Sequence, residues 1–131
     1  MSLAPFFAAS PVIQTHLVAA LVAVALGTFM IVAPKGTPAH RWSGRAWVAT
    51  MLFVAIGSFW IQGATGAAGF SWIHGLSAIV IVFLGIALWA IRTGRVRTHR
   101  GFMIGLYVGL IGAGAGAFLP GRLISRILGY V

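Results

Sequence analysis

Four histidines are the residues of this 131-residue chain best suited to chemistry, and they fall into two registered pairs. His16 and His74 are 58 residues apart; His40 and His99 are 59 apart. A neutral imidazole ligates a metal through one ring nitrogen while a hydrogen bond to the other orients it. Two imidazoles facing each other at one height are the axial set of a bis-histidine haem. The chain contains no Cys, Asp or Glu. Thiol chemistry and carboxylate-based or hydrolytic catalysis are therefore excluded, so any catalytic role is at most electron transfer. A tetrahedral zinc site is disfavoured, because each pair offers two imidazoles and nothing to complete the ligand set. Cation pumps and antiporters are disfavoured on the same ground, since their relays use Asp or Glu.

Glycines carry the same offset. Gly27 maps to Gly85, Gly36 to Gly94 and, after one extra residue, Gly57 to Gly116; His40-Arg41 is echoed by His99-Arg100. A period of this kind reads as a duplicated two-helix unit. Sixty per cent of the residues are hydrophobic and 7% are charged, the balance of a membrane protein. The expected fold is all-α: one integral membrane four-helix bundle over 1–131, built from two tandem transmembrane hairpins at about 11–64 and 70–119. Ser10-Pro11 caps the first span, which runs to Ala33, and 34–38 stops it. The second span starts at Trp42 or Arg45 and ends in a glycine-rich turn at 63–69. The third covers 70–91 and the fourth 101–119, each about the 20 residues a bilayer core requires. Residues 1–10 carry no positive charge and are not read as a cleavable signal peptide. Residues 121–131 repeat Leu123/Ile127 and Ile124/Leu128 at i,i+4, a short interfacial helix.

Seven of the nine cations flank the first and third connectors: Lys35, Arg41, Arg45, Arg92, Arg95, Arg97 and Arg100. The positive-inside rule puts both connectors in the cytoplasm and both termini in the periplasm of a bacterial inner membrane. Their counterions must come from outside the chain, and anionic lipid headgroups are the expected source. Nucleic acid is excluded as a partner, since the charges sit in short connectors between spans.

In an up-down bundle the first and third helices are diagonal neighbours, as are the second and fourth. His16 and His74 then face each other near the outer side, and His40 and His99 near the cytoplasmic side. The metal expected is haem iron alone, in one or two b-type haems. Gly27 and Gly85 would leave room at the depth of the inner haem, Gly57 and Gly116 at that of the outer one. Arg41, Arg45 and Arg100 would pair with propionates.

Lys35-Gly36, His40-Arg41, Gly44-Arg45, His99-Arg100-Gly101-Phe102-Met103 and Pro120-Gly121-Arg122 together resemble an uncharacterised bacterial family of small four-span membrane proteins. The resemblance covers nearly the whole chain and implies the fold, with no activity attached. The pairing of histidines also resembles the four-helix core of the di-haem transmembrane cytochromes b. That likeness is one of layout, and it implies transmembrane electron transfer. It departs at His40 and His99, which lie at the membrane edge where the ligands of those cytochromes lie deeper.

A second function class stays open. Histidines inside a membrane commonly make interhelical hydrogen bonds. The chain then reads as a cofactor-free accessory subunit of a larger membrane complex. Gly101, Gly105 and Gly109, extended by Gly112 and Gly116, form a small-residue track along the fourth span. Such a track suits close packing within the bundle, a partner helix or a second copy.

Overall fold

The computed structural model describes residues 1–61 and 72–130. Among the described residues six helices follow one another: α1 (Ala4–Ala8), α2 (Pro11–Val32), α3 (Pro38–Gly57), α4 (Trp72–Arg92), α5 (Val96–Gly116) and α6 (Leu123–Leu128). A 3-10 turn over Ser58–Trp60 extends α3. The described residues contain no strand, so the fold is all-α. The turn expected at 63–69 and the first two residues of the third segment, 70 and 71, lie outside the described residues.

Hydroxyl caps followed by proline set the helix starts. The Ser10 side chain accepts from the Ile13 N–H at 3.5 Å, with Pro11 at the first helical position. Thr37 does the same for the His40 N–H at 3.2 Å, ahead of Pro38. Proline lacks an N–H and has φ preset for helix, so it starts a helix as readily as it ends one. Hence α3 begins at Pro38, several residues before the expected Trp42 or Arg45. Helix α5 likewise begins at Val96 rather than Gly101, and it closes at Gly116. The short α1 was not expected; the Gln14 amide ties it to α2 through the Phe6 and Ala9 carbonyls, at 3.1 and 2.9 Å.

The four long helices form an antiparallel ring. Met30 lies against Gly44, Ala23 against Trp47 and His16 against Ser58, so α2 and α3 run in opposite directions. Ala87 meets His99 and Phe83 meets Phe102, so α4 and α5 do the same. Helix α3 also packs on α4, and α5 on α2, which leaves α2/α4 and α3/α5 as the diagonals. Both hairpin connectors turn at a glycine with φ +77°, Gly36 and Gly94, which are 58 residues apart. The duplication thus extends to backbone conformation, in a region of φ that favours glycine.

Helical stripes build the centre. Ala23, Gly27 and Met30 on α2 face Trp47, Met51 and Ala55 on α3, with Leu84 from α4 and Leu106 and Leu110 from α5. The opposite faces are apolar as well: Leu21, Val22, Phe53, Val82 and Val108 are all exposed. A surface of that kind is made for lipid contact. Helices α2 and α4 are each long and apolar enough to cross a membrane.

The repeat is not symmetric at its glycines. Gly27 is buried, and a Cβ there would lie 2.5 Å from the Tyr107 ring and 2.9 Å from Trp47 Nε1. Gly85, its counterpart, is exposed and has no neighbour within 4 Å of such a Cβ. Gly27→Ala should therefore destabilise the bundle by about 1–3 kcal/mol through overpacking. Gly85→Ala should be neutral or stabilise by up to about 1 kcal/mol, as expected for glycine inside a helix. Thermal unfolding in detergent checks the pair; equal effects would contradict the asymmetric packing.

Candidate functional site

Each histidine is placed by a different element, and all four are half-buried. His16 sits one and a half turns into α2; His74 is the third residue of α4. His40 is in the first turn of α3 and His99 in the first turn of α5. His40 and His99 lie at the same end of the ring, where α3 and α5 both start. His16 and His74 lie toward the end of the ring away from the basic connectors.

The hydrogen bonds of these rings run between helices. A carbonyl can only accept, so the ring nitrogen opposite one must carry the proton. His99 Nδ1–H donates to the Ala87 carbonyl at 2.9 Å, joining α5 to α4. His74 Nε2–H donates to the Phe59 carbonyl at 3.1 Å, joining α4 to the turn after α3. His16 Nδ1 lies 3.5 Å from Ser58 Oγ, which itself donates to the Val54 carbonyl at 2.8 Å. Two further links involve residues that the histidine pattern does not reveal. Trp47 Nε1–H donates to the Ala23 carbonyl at 2.9 Å, between α3 and α2. Tyr107 donates its hydroxyl proton to Thr28 at 2.7 Å, because the Thr28 proton is held by the Val24 carbonyl. Every neighbouring pair in the ring is thus joined by at least one side-chain hydrogen bond. The sequence did carry a signal for the last two: an indole and a phenol in mid-span each need a buried acceptor.

A bis-histidine haem needs open space reaching both imidazoles. The cleft at His16 is lined by Val12, Thr15, Phe53, Gly57 and Trp60, and His74 is not part of it. Its volume is about 170 Å³, below the roughly 300–1,000 Å³ of pockets that hold drug-sized ligands. Toward the basic end, Tyr107 and Trp47 fill the space beside Gly27, and Gly85 faces outward. Gly116 is half-buried at the end of α5 with nothing within 4 Å of a would-be Cβ. Arg41, Arg45 and Arg100 are exposed, and Arg45 stacks on Trp42 at 5.0 Å. As packed, these residues do not fit a macrocycle at either depth. No group of three or more metal-ligating side chains occurs among the described residues.

Residues 13–127 match the family described as Predicted membrane protein (DUF2306). The chain belongs to this family. No curated protein and no solved structure matches it. Membership makes the apolar outer faces of the ring a lipid-facing surface, in agreement with their exposure.

Within this family member the basic end holds the one buried side-chain polar atom without a hydrogen bond among the described residues. His40 Nδ1 is buried and has no hydrogen-bond partner. Lys35 is committed nearby: its ammonium donates to the Ile31 and Ala33 carbonyls, at 2.8 and 3.1 Å, and so closes the end of α2. Burial first, then the positive charges of Lys35 and His99, hold the His40 pKa below its ordinary value. The unfolded chain therefore takes up the His40 proton at a higher pH than the folded one. The sign follows: His40 contributes full stability above about pH 6.5 and loses it as pH falls through the lowered folded value. The melting temperature in detergent should drop on acidification, and His40→Gln should drop less over the same range. An identical pH profile for the two proteins would refute this assignment.

Proposed function

We propose that this protein is a four-span inner-membrane subunit without a redox centre of its own, whose bundle docks laterally on another transmembrane helix. The observation that carries this reading is the outer face of α5. Gly101, Gly105, Gly109 and Gly112 are exposed, and a Cβ on any of them would meet nothing within 4 Å. The bundle therefore does not use the track that its sequence provides. Small residues at this spacing let two helix backbones approach closely in lipid. Interhelical hydrogen bonding by the histidines, together with the filled interior, supports a structural role over a cofactor-binding one.

Four crossings fit the aromatic residues. Trp42 and Trp60 are 18 residues apart on α3 and its turn, about 27 Å at helical rise. Trp72 and Trp89 are 17 apart on α4, about 26 Å. Both separations are close to the ~30 Å hydrocarbon thickness, and tryptophan favours its two boundaries. The arginines of α3 and α5 lie in the first two turns, from which their side chains reach the interface. The excess of cations at that end supports a cytoplasmic placement, with both termini periplasmic. A reporter active only in the cytoplasm, fused after Val131, is expected to stay silent; a strong signal would reverse the orientation.

A second reading, electron transfer through bis-histidine haem, is favoured by the unpartnered His40 Nδ1 at the end of the ring that also holds His99. It requires Trp47 and Tyr107 to leave the space next to Gly27. Two measurements separate the readings. Protein purified from haem-sufficient cells should show no low-spin b-type spectrum. Gly105→Leu should leave the thermal stability of the isolated protein within about 0.5 kcal/mol of wild type, as for an exposed site, yet lower its apparent mass in native gels of solubilised membranes. A b-type spectrum lost in His40→Ala and His99→Ala would establish the second reading instead.

A further inference from the structure

The basic end presents cations that the protein does not neutralise. Seven of the nine Lys and Arg residues lie there, and the chain has no Asp or Glu. Lys35 is turned onto the carbonyls of α2. The six arginines, Arg41, Arg45, Arg92, Arg95, Arg97 and Arg100, are all exposed. Two of them are held in place, one in each hairpin. The Arg45 guanidinium lies 5.0 Å from the centre of the Trp42 ring, and that of Arg95 lies 4.5 Å from the centre of the Trp89 ring. A guanidinium held over an indole face still has N–H donors to offer a phosphate. An arginine fixed this way is a preformed fork for a phosphate.

We propose that the basic end is a binding site for anionic phospholipid, with Arg45 and Arg95 as the positioned phosphate ligands and the remaining arginines supplying attraction. Trp42 and Trp89 are 68% and 49% exposed, and indole rings favour the headgroup level of a bilayer. The stacked guanidiniums therefore sit at the height of lipid phosphates, where lipid outnumbers any soluble anion. The antiparallel order of the helices puts the starts of α3 and α5 at one end, so Arg41 and Arg100, near those starts, add to one positive surface. The proposal rests on membrane placement and is independent of lateral docking through α5.

The test uses the full chain in a neutral detergent, titrated with phosphatidylglycerol, phosphatidylcholine or inorganic phosphate while its melting temperature is followed. Phosphatidylglycerol should raise the melting temperature saturably, and the other two should not. Arg45→Gln and Arg95→Gln should each weaken the apparent affinity about fivefold, the equivalent of the ~1 kcal/mol typical of one basic residue at an anionic surface. Arg122→Gln and Arg126→Gln, at the opposite end, should leave it unchanged. Arg45→Lys keeps the charge but loses the planar, bidentate fork, and should fall between wild type and Arg45→Gln. An equal response to inorganic phosphate would identify a free-anion site and overturn the lipid assignment. Equal weakening by substitutions at both ends, or full retention by Arg45→Lys, would show diffuse charge attraction and overturn the positioned site.

Discussion

Helix association in this protein depends on side-chain hydrogen bonds that end on backbone carbonyls or hydroxyls of a neighbouring helix. In lipid, apolar contact between helices gains little over contact with acyl chains, so packing and hydrogen bonds must hold a bundle together. A chain without Asp or Glu has no carboxylate to serve as an interhelical acceptor. Trp47, His74 and His99 accordingly donate to the carbonyls of Ala23, Phe59 and Ala87, and Tyr107 donates to Thr28. Each such bond is worth only about 0.6 kcal/mol on average in a membrane. Their distribution matters more than their strength, because together with the His16–Ser58 contact they join all four neighbouring pairs and close the ring.

The same bonds divide labour between the two copies of the repeat. Both hairpins keep the left-handed glycine in the connector, since the turn needs it in either copy. Inside the bundle the copies diverge. Gly27 admits Trp47 and Tyr107 to the centre, whereas Gly85 faces outward. His16 touches a serine at the end of its own hairpin, while His74 reaches back to the turn after α3 and so links the two hairpins.

The two ends of the ring differ in kind. Away from the connectors, the terminal segments fold together: the Ser2 N–H donates to the Ile127 carbonyl at 2.9 Å, and the Tyr130 hydroxyl to the Phe118 carbonyl at 2.8 Å. The basic end leaves six exposed arginines to a counterion from outside, and this imbalance follows directly from composition.

Composition and spacing alone determined the all-helical class, the membrane setting, the duplicated hairpins, the tail helix at Leu123–Leu128 and the segregation of charge, because each depends on local pattern or on residue counts. Helix starts at Pro38 and Val96 were missed, since a proline after a threonine reads equally as a stop or a cap, and a basic segment as a connector. The placement of His40 and His99 at one end was also legible, as alternating antiparallel helices bring every second helix start to one end. What the sequence did not contain was the direction in which each ring and each missing side chain faces. Whether Gly27 opens onto a cofactor or onto Tyr107, and whether the α5 glycines are filled or bare, depends on rotation of the helices about their own axes. Helices that are apolar on every side carry no local signal for that angle. Only the packing of Trp47, Leu84, Leu106 and Leu110 at the common centre sets it, and that contact joins residues from three separate helices.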